Sequence, residues 1–315
     1  MAHAFIDAAA GAGAGAIKFQ THIAEAESTL DEPWRVKFSE QDATRFDYWK
    51  RMEFTKEQWV GLSEHAGRKG ILFLSSPFSV KAVALLDEVG VPYWKIASGE
   101  ICNRELLEAV WQTKKPILFS TGLVTVEELD VVVGETRKRG IPFGVLQCNS
   151  EYPSPPERWG LHLIGEFRER YHCPVGFSDH SGSIFAGMAA AALGADILEV
   201  HITFSRLMFG PDVSASLTVN ELAQLVQGVS RIRKSMEASV SRGGLSETQA
   251  GYRRVFGRSL ALKEDLPAGT VVRKEYLTLK KPGTGIPPGD DGSVVGKRLR
   301  WDKTSLRLLT PEDFE

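Results

Sequence analysis

From its start to about residue 240, the chain alternates short apolar strands with amphipathic helical stretches, and this limits the folds open to it more than any other feature. Runs rich in β-branched and aromatic residues occupy positions 16–21, 71–76, 93–97, 116–121, 143–148, 174–179 and 197–203. Between most of them lie stretches with apolar residues at helical spacing: 55–69, 80–89, 103–112, 126–139 and 184–193. Strand and helix alternating at this spacing imply parallel strands joined by right-handed crossovers. The strands read as continuously apolar, as expected when both faces are covered. Seven strands are counted where a TIM-type (β/α)8 barrel has eight, and the chain opens in a helical run, Ala2 to Ala10. The expectation is therefore an α/β barrel lacking its first strand, which would lie upstream of Met1.

Polar residues close each of these strands. Lys18 and Gln20 end the first, Ser75 and Ser76 the second, and Lys95, Ser98 and Glu100 the third. Ser120 and Thr121 follow on the fourth, Asn149 and Ser150 on the fifth, Ser178, Asp179 and His180 on the sixth, and His201 on the seventh. Side chains at the C-terminal ends of barrel strands share one mouth, where such folds bind ligands. Two lysines with a series of hydroxyls suit a small phosphorylated anion. His180 and His201, on neighbouring strand ends, could each give one nitrogen to a borderline-soft divalent metal. Taken singly, each residue has an ordinary explanation: a snorkelling lysine, a capping serine, a hydrogen-bonded interior histidine, a loop acid at Asp212. The pattern over seven strands argues for a site.

Several functions are excluded. The net charge of −2 over 315 residues, without a basic block, speaks against nucleic acid or an anionic membrane as partner. No run approaches the roughly 18 apolar residues of a membrane span. The Ala/Gly-rich opening lacks an early Lys or Arg and carries Asp7, so it reads as mature protein. Cys102, Cys148 and Cys173 are odd in number and widely spaced, which suits reduced thiols and a cytoplasmic location. Neither a Rossmann glycine fingerprint nor a Walker loop is present, so no nucleotide is called for. After about residue 233 the texture changes. Residues 241–254 read as a linker, and 255–315 have the strand-and-turn idiom of a small β-rich domain.

In order, the segments IKFQTH (17–22), SSPF (75–78), WKIASGE (94–100), LFSTG (118–122), QCNSEYPSP (147–155), GFSDHSG (176–182), EVHITF (199–204) and GPDVSASL (210–217) resemble the sialic-acid synthase family, which includes N-acetylneuraminate, legionaminate and pseudaminate synthases. The C-terminal stretch resembles the antifreeze-like (SAF) domain that follows the barrel in that family. The resemblance implies condensation of phosphoenolpyruvate with the open, aldehyde form of an N-acetylated hexose, giving a nine-carbon 2-keto acid and phosphate. It implies His180 and His201 as ligands of a divalent metal (Mn²⁺, or Mg²⁺ or Co²⁺). Lys18, Lys95, Ser98, Ser120, Ser150 and Ser178 would cradle phosphoenolpyruvate, with Ser76 also in the substrate site. Glu100, Gln20, Tyr152 and Asp212 would orient the amino sugar or exchange protons with it, and the catalytic roles fall to Glu100, Lys95 and Lys18. A head-to-tail homodimer is also implied. A metal-dependent pyruvate aldolase, or a sugar-binding homologue with impaired catalysis, are the alternative readings. Two departures stand out: the family's first strand, with its glutamate and Asn-His-x-Gly loop, is absent, and Lys280-Lys281-Pro-Gly stands where many members have Lys-Arg-Pro-Gly.

Overall fold

The computed structural model of the chain describes residues 1–240 and 243–315, in two compact units, 1–238 and 239–315. The first unit begins with the helix Ala2–Gly11. Its strands are β1 (Ala16–Thr21), β2 (Leu72–Pro77), β3 (Trp94–Ile96), β4 (Ile117–Ser120), β5 (Phe143–Cys148), β6 (Val175–Asp179), β7 (Leu198–Thr203) and β8 (Ser216–Thr218). All seven expected strands form. The eighth, β8, is a three-residue strand within a segment that has turn composition, and it follows the expected set rather than preceding it.

All pairings in this unit are parallel. β1 pairs with β2, and β3 to β8 form one six-stranded sheet in chain order. Among the described residues no ladder joins β2 to β3 or β8 to β1, so the hydrogen-bonded ring is not continuous. The sheet is nevertheless rolled up. Lys95 on β3 and Glu199 on β7 are four strands apart, which in a flat sheet is ~19 Å at about 4.8 Å per strand. Their charged atoms are 3.1 Å apart. Lys18 on β1 also reaches Glu199, at 3.5 Å.

Register explains which side chains meet inside. Residues paired across a parallel ladder share a face, and so do residues two apart along a strand. Lys18, Gln20 and Ser76 therefore face one way on β1 and β2. Lys95, Leu118, Ser120, Leu146, Cys148, Ser178, Glu199 and His201 form a second continuous set through β3 to β7. The opposite faces carry Ile17, Phe73, Trp94, Ile96, Ile117, Phe119, Val145, Val175 and Phe177, all buried in the main core beneath the helices. The strands thus alternate, aliphatic or aromatic toward the helices and small or polar inside, which corrects their reading as uniformly apolar. The inner wall needs a glycine: a Cβ on Gly176 would stand 2.4 Å from the Ile197 carbonyl oxygen and 2.5 Å from Leu146 Cδ2.

The helices fall where periodicity places them, and capping sets their starts. Thr55, Thr125 and Thr218 open the helices Lys56–Arg68, Val126–Lys138 and Val219–Glu237 with capping boxes, Gln58, Glu128 and Glu221 returning the bond.

The second unit pairs β9 (Ser259–Leu262) antiparallel with β10 (Leu277–Lys280) around a core of Leu260, Leu262, Val272, Ile286, Val294, Leu299, Leu309 and Phe314. The expected linker 241–254 is largely helical instead, within the helix Glu247–Phe256. Ser246 accepts from the Gln249 amide and the Gln249 side chain returns the bond, so a Ser-rich stretch that reads as linker is a helix start. Residues 241 and 242 of that expected linker lie outside the described residues.

Candidate functional site

The inner face of the first unit gathers charge at one point. Glu199 Oε1 accepts from Lys95 Nζ at 3.1 Å and from Ser178 Oγ at 3.3 Å, and lies 3.5 Å from Lys18 Nζ. Three elements far apart in sequence thereby supply donors to a single anionic oxygen. Burial alone would raise the Glu199 carboxyl, but the ammonium groups of Lys18 and Lys95 outweigh it and hold the group below the usual carboxylate range. For Lys18 burial wins: its pKa is lowered despite Glu199, with the Lys95 charge adding to the effect. Glu199 is absent from the site residues expected from sequence, although its position two before His201 on the same strand was a usable signal.

Next to this cluster stand the two imidazoles, their ring centroids 5.1 Å apart and nearly perpendicular. His180 Nδ1 donates to the Asn149 carbonyl oxygen at 2.8 Å, which leaves the Nε2 lone pair for another partner. Burial lowers the pKa of His180. Burial and the neighbouring His180 bring His201 down to about 4, against the pull of Asp212. Both rings are therefore held neutral near pH 7, the form that binds a metal. Among the described residues no group of three or more His, Cys, Asp or Glu is placed to hold a metal. A divalent cation here would rest on His180 and His201 and take its other ligands from oxygens of substrate or water. Asp179 is not a third ligand. Its carboxylate accepts from the Ser181 amide at 2.7 Å and the Ser181 hydroxyl at 3.1 Å, because the strand alternation turns it away from Ser178.

A polar roof covers the imidazoles. The Tyr152 ring lies 4.1 Å from that of His180 and 5.9 Å from that of His201. The Arg35 guanidinium sits 4.6 Å over Tyr152 and donates to Asp212 Oδ1 at 2.5 Å, while Asp212 Oδ2 is 3.5 Å from His201 Nδ1. Tyr152 and Asp212 thus lie beside the two imidazoles. Arg35, in the loop after β1, carries no motif in the sequence that would have marked it.

The hydroxyls divide into two groups. Ser98 Oγ and Ser150 Oγ are 3.2 Å apart. Gly122 makes room for them, since a Cβ there would lie 2.3 Å from Ser150 Oγ and 2.9 Å from Cys148 Sγ. Ser76 and Ser120 are buried with no hydrogen-bond partner for their hydroxyls among the described residues. Such orphaned groups carry a cost that a bound acceptor would relieve. Gln20 is exposed beside Ser76 on the same face.

Glu100 stands apart from this cluster. It ends the turn Ser98–Glu100, accepts from Asn103 Nδ2 at 2.8 Å, and is raised by burial. No ion pair or hydrogen bond ties it to the lysines or the imidazoles among the described residues. Instead it lines a cavity of about 560 Å³ with His22, Glu25, Glu27, Glu32, Arg45, Trp49, Lys81 and Glu105, among others. The His22 ring is sandwiched between Trp49 and Phe78 at 3.9 and 4.3 Å, and its Nδ1 donates to Glu27. The turn Ser98–Glu100 therefore has its first residue at the serine pair and its last in this cavity.

Comparison with known proteins places the chain. The NeuB family matches residues 5–241, and the SAF domain matches 257–315. N,N'-diacetyllegionaminic acid synthase of Campylobacter jejuni is 32% identical over 94% of this chain and 90% of its own length. N-acetylneuraminate-9-phosphate synthase of Homo sapiens is 32% identical over 91% of this chain and 80% of its own. The structure of N-acetylneuraminic acid synthetase from Leptospira borgpetersenii, solved with citrate, superposes with a TM-score of 0.69 at 34% identity, covering 80% of this chain and 85% of that one. The chain belongs to the NeuB family and ends in a SAF domain.

Proposed function

We propose that the chain condenses phosphoenolpyruvate with an open-chain N-acylated hexosamine to give a nine-carbon 2-keto sugar acid and phosphate. The observation that carries this reading is the convergence of Lys18, Lys95 and Ser178 on one anionic oxygen, that of Glu199. Donors preorganised around an internal carboxylate are an anion cradle, and the phosphate and carboxylate of phosphoenolpyruvate would compete for them. The unpartnered hydroxyls of Ser76 and Ser120, with the Ser98–Ser150 pair, would complete it. The names of the relatives support the same chemistry.

In the reaction, C3 of phosphoenolpyruvate bonds to the aldehyde carbon, water adds at C2, and the C2–O bond to phosphate breaks. Lys18 and Lys95 would hold the phosphate and so stabilise the charge it carries away. Glu100, whose burial brings its carboxyl nearer neutrality, would exchange a proton with the sugar. Tyr152 and Asp212, fixed by Arg35, would orient the sugar beside the imidazoles, and Gln20 would reach it from the rim. A divalent metal, Mn²⁺ or else Mg²⁺ or Co²⁺, held by His180 and His201 would polarise the aldehyde oxygen. The family resemblance also supports a head-to-tail homodimer.

The test is phosphate release by the purified chain. It is expected only with phosphoenolpyruvate, a divalent metal and an N-acylated hexosamine together, and to fall at least 100-fold in Lys95→Met. Full turnover by His180→Ala, or formation of the 2-keto sugar acid at an equal rate with pyruvate as donor, would sink the reading.

A further inference from the structure

We propose that Glu199 is a resident competitor for the anion cradle: its carboxylate stands where a phosphate oxygen would stand, yields that place to phosphoenolpyruvate, and returns to expel inorganic phosphate. The inference rests on the cradle proposed above and assigns the residue that limits its affinity.

A single oxygen collects the donors. Lys95 Nζ at 3.1 Å, Ser178 Oγ at 3.3 Å and Lys18 Nζ at 3.5 Å surround Glu199 Oε1, and they come from β3, β6 and β1. Among the described residues neither lysine has another ion pair, so one carboxylate faces both ammonium groups. An anion arriving from solution finds its donors engaged, and two like charges held against the same ammonium groups repel. Its binding is therefore weakened by whatever Glu199 gains in the empty site. The cluster is open to solutes, because the side chains of Lys18 and Glu199 keep 18% and 16% of their surface exposed, and on that side the carboxylate can withdraw. Glu199 also leaves part of the cradle unused. The hydroxyls of Ser76 and Ser120 have no partner among the described residues, and Ser98 and Ser150 bond each other. Phosphoenolpyruvate, with a carboxylate as well as a phosphate, has groups for these donors and gains contacts that Glu199 lacks. Inorganic phosphate has one group and gains fewer. The carboxylate that yields to the substrate thus competes with the product.

The experiment is calorimetry on the full chain, without metal or sugar, comparing the parent with Glu199→Gln for phosphoenolpyruvate and for inorganic phosphate. Glutamine keeps the shape and an oxygen for Lys95 but removes the charge. Both anions are expected to bind Glu199→Gln at least tenfold more tightly, whereas loss of a merely structural residue would weaken them. In the turnover assay, added phosphate should inhibit the variant at a correspondingly lower concentration. Failure of either anion to bind the variant more tightly than the parent overturns the inference, and turnover by the parent then leaves the condensation standing. Tighter binding of both, with no turnover by the parent on any sugar, upholds the inference and sinks the condensation. Should Glu199→Gln not fold by itself, its thermal transition is followed as inorganic phosphate is added. A cooperative transition restored by phosphate but not by chloride upholds the inference, because an external anion has taken the place of the carboxylate; no recovery overturns it.

Discussion

Glu199 shows how one side chain can set the state of a whole site. Two ammonium groups buried inside a rolled sheet would be costly without a counter-charge, and this carboxylate supplies it. Replacing it by leucine leaves both lysines unpaired, and a loss of about 3 kcal/mol in unfolding free energy is expected, from the 3–5 kcal/mol typical of a broken buried pair reduced for partial exposure. Denaturant titration measures it, and a loss below about 1 kcal/mol would mean the lysines find another partner. Gly122 acts through space rather than charge. A methyl group there collides with Ser150 Oγ and Cys148 Sγ. Gly122→Ala is expected to raise KM for phosphoenolpyruvate about tenfold, at a cost near 1–3 kcal/mol for overpacking. An unchanged KM would remove Ser150 from the phosphoenolpyruvate cradle.

At the scale of elements, the strands were legible because their apolar side faces helices, as with Phe119 and Phe177, and the helices because their spacing is regular. Within a strand such as IKFQT, Lys18 and Gln20 stood out as polar residues closing an apolar run, while the alternation that sets them on one face was not read. What stayed hidden depends on pairing across distance. Nothing in EVHIT announces that Glu199 meets a lysine four strands away, and Arg35 lies in a loop whose composition carries no period. β8 and the helix Glu247–Phe256 were missed because Ser, Gly and Asp favour turns and caps alike. Two elements yield expectations of their own. In β6, Gly176→Ala would push Ile197 and Leu146 apart, and a loss of at least 1–3 kcal/mol is expected in the same titration. In the loop before the helix Arg45–Met52, the Asp42 carboxylate takes two bonds from Arg51, at 2.8 and 2.6 Å, and is lowered to about 2. A depressed carboxylate stabilises the fold above its unfolded pKa near 4, and that contribution is lost as pH falls through about 2. The Tm difference between the parent and Asp42→Asn is expected to be constant above pH 5 and to shrink steadily between pH 4 and pH 2. A difference at pH 2 as large as that at pH 5 would assign the effect to packing.

The molecule is built as two units with separate cores, and every donor of the proposed anion cradle comes from the first: Lys18, Ser76, Lys95, Ser98, Ser120, Ser150 and Ser178 all precede residue 238. The imidazoles do too. Binding of phosphoenolpyruvate should therefore not need the second unit, whereas turnover should need it if, in the head-to-tail homodimer proposed above, the SAF domain completes the sugar site of a partner chain. A chain ending at Ala238 is expected to melt cooperatively, because its own core is intact, and to bind phosphoenolpyruvate within about threefold of the full protein. It is also expected to release no phosphate when the sugar is added. Circular dichroism establishes folding, calorimetry the binding and a phosphate assay the turnover. If a cooperatively folded fragment failed to bind phosphoenolpyruvate, the anion cradle could not be the lysine and serine set of the first unit. If the fragment turned over as fast as the full chain, the second unit would lie outside the chemistry, and the acceptor would be held by Glu100, Tyr152 and Asp212 without help from a partner.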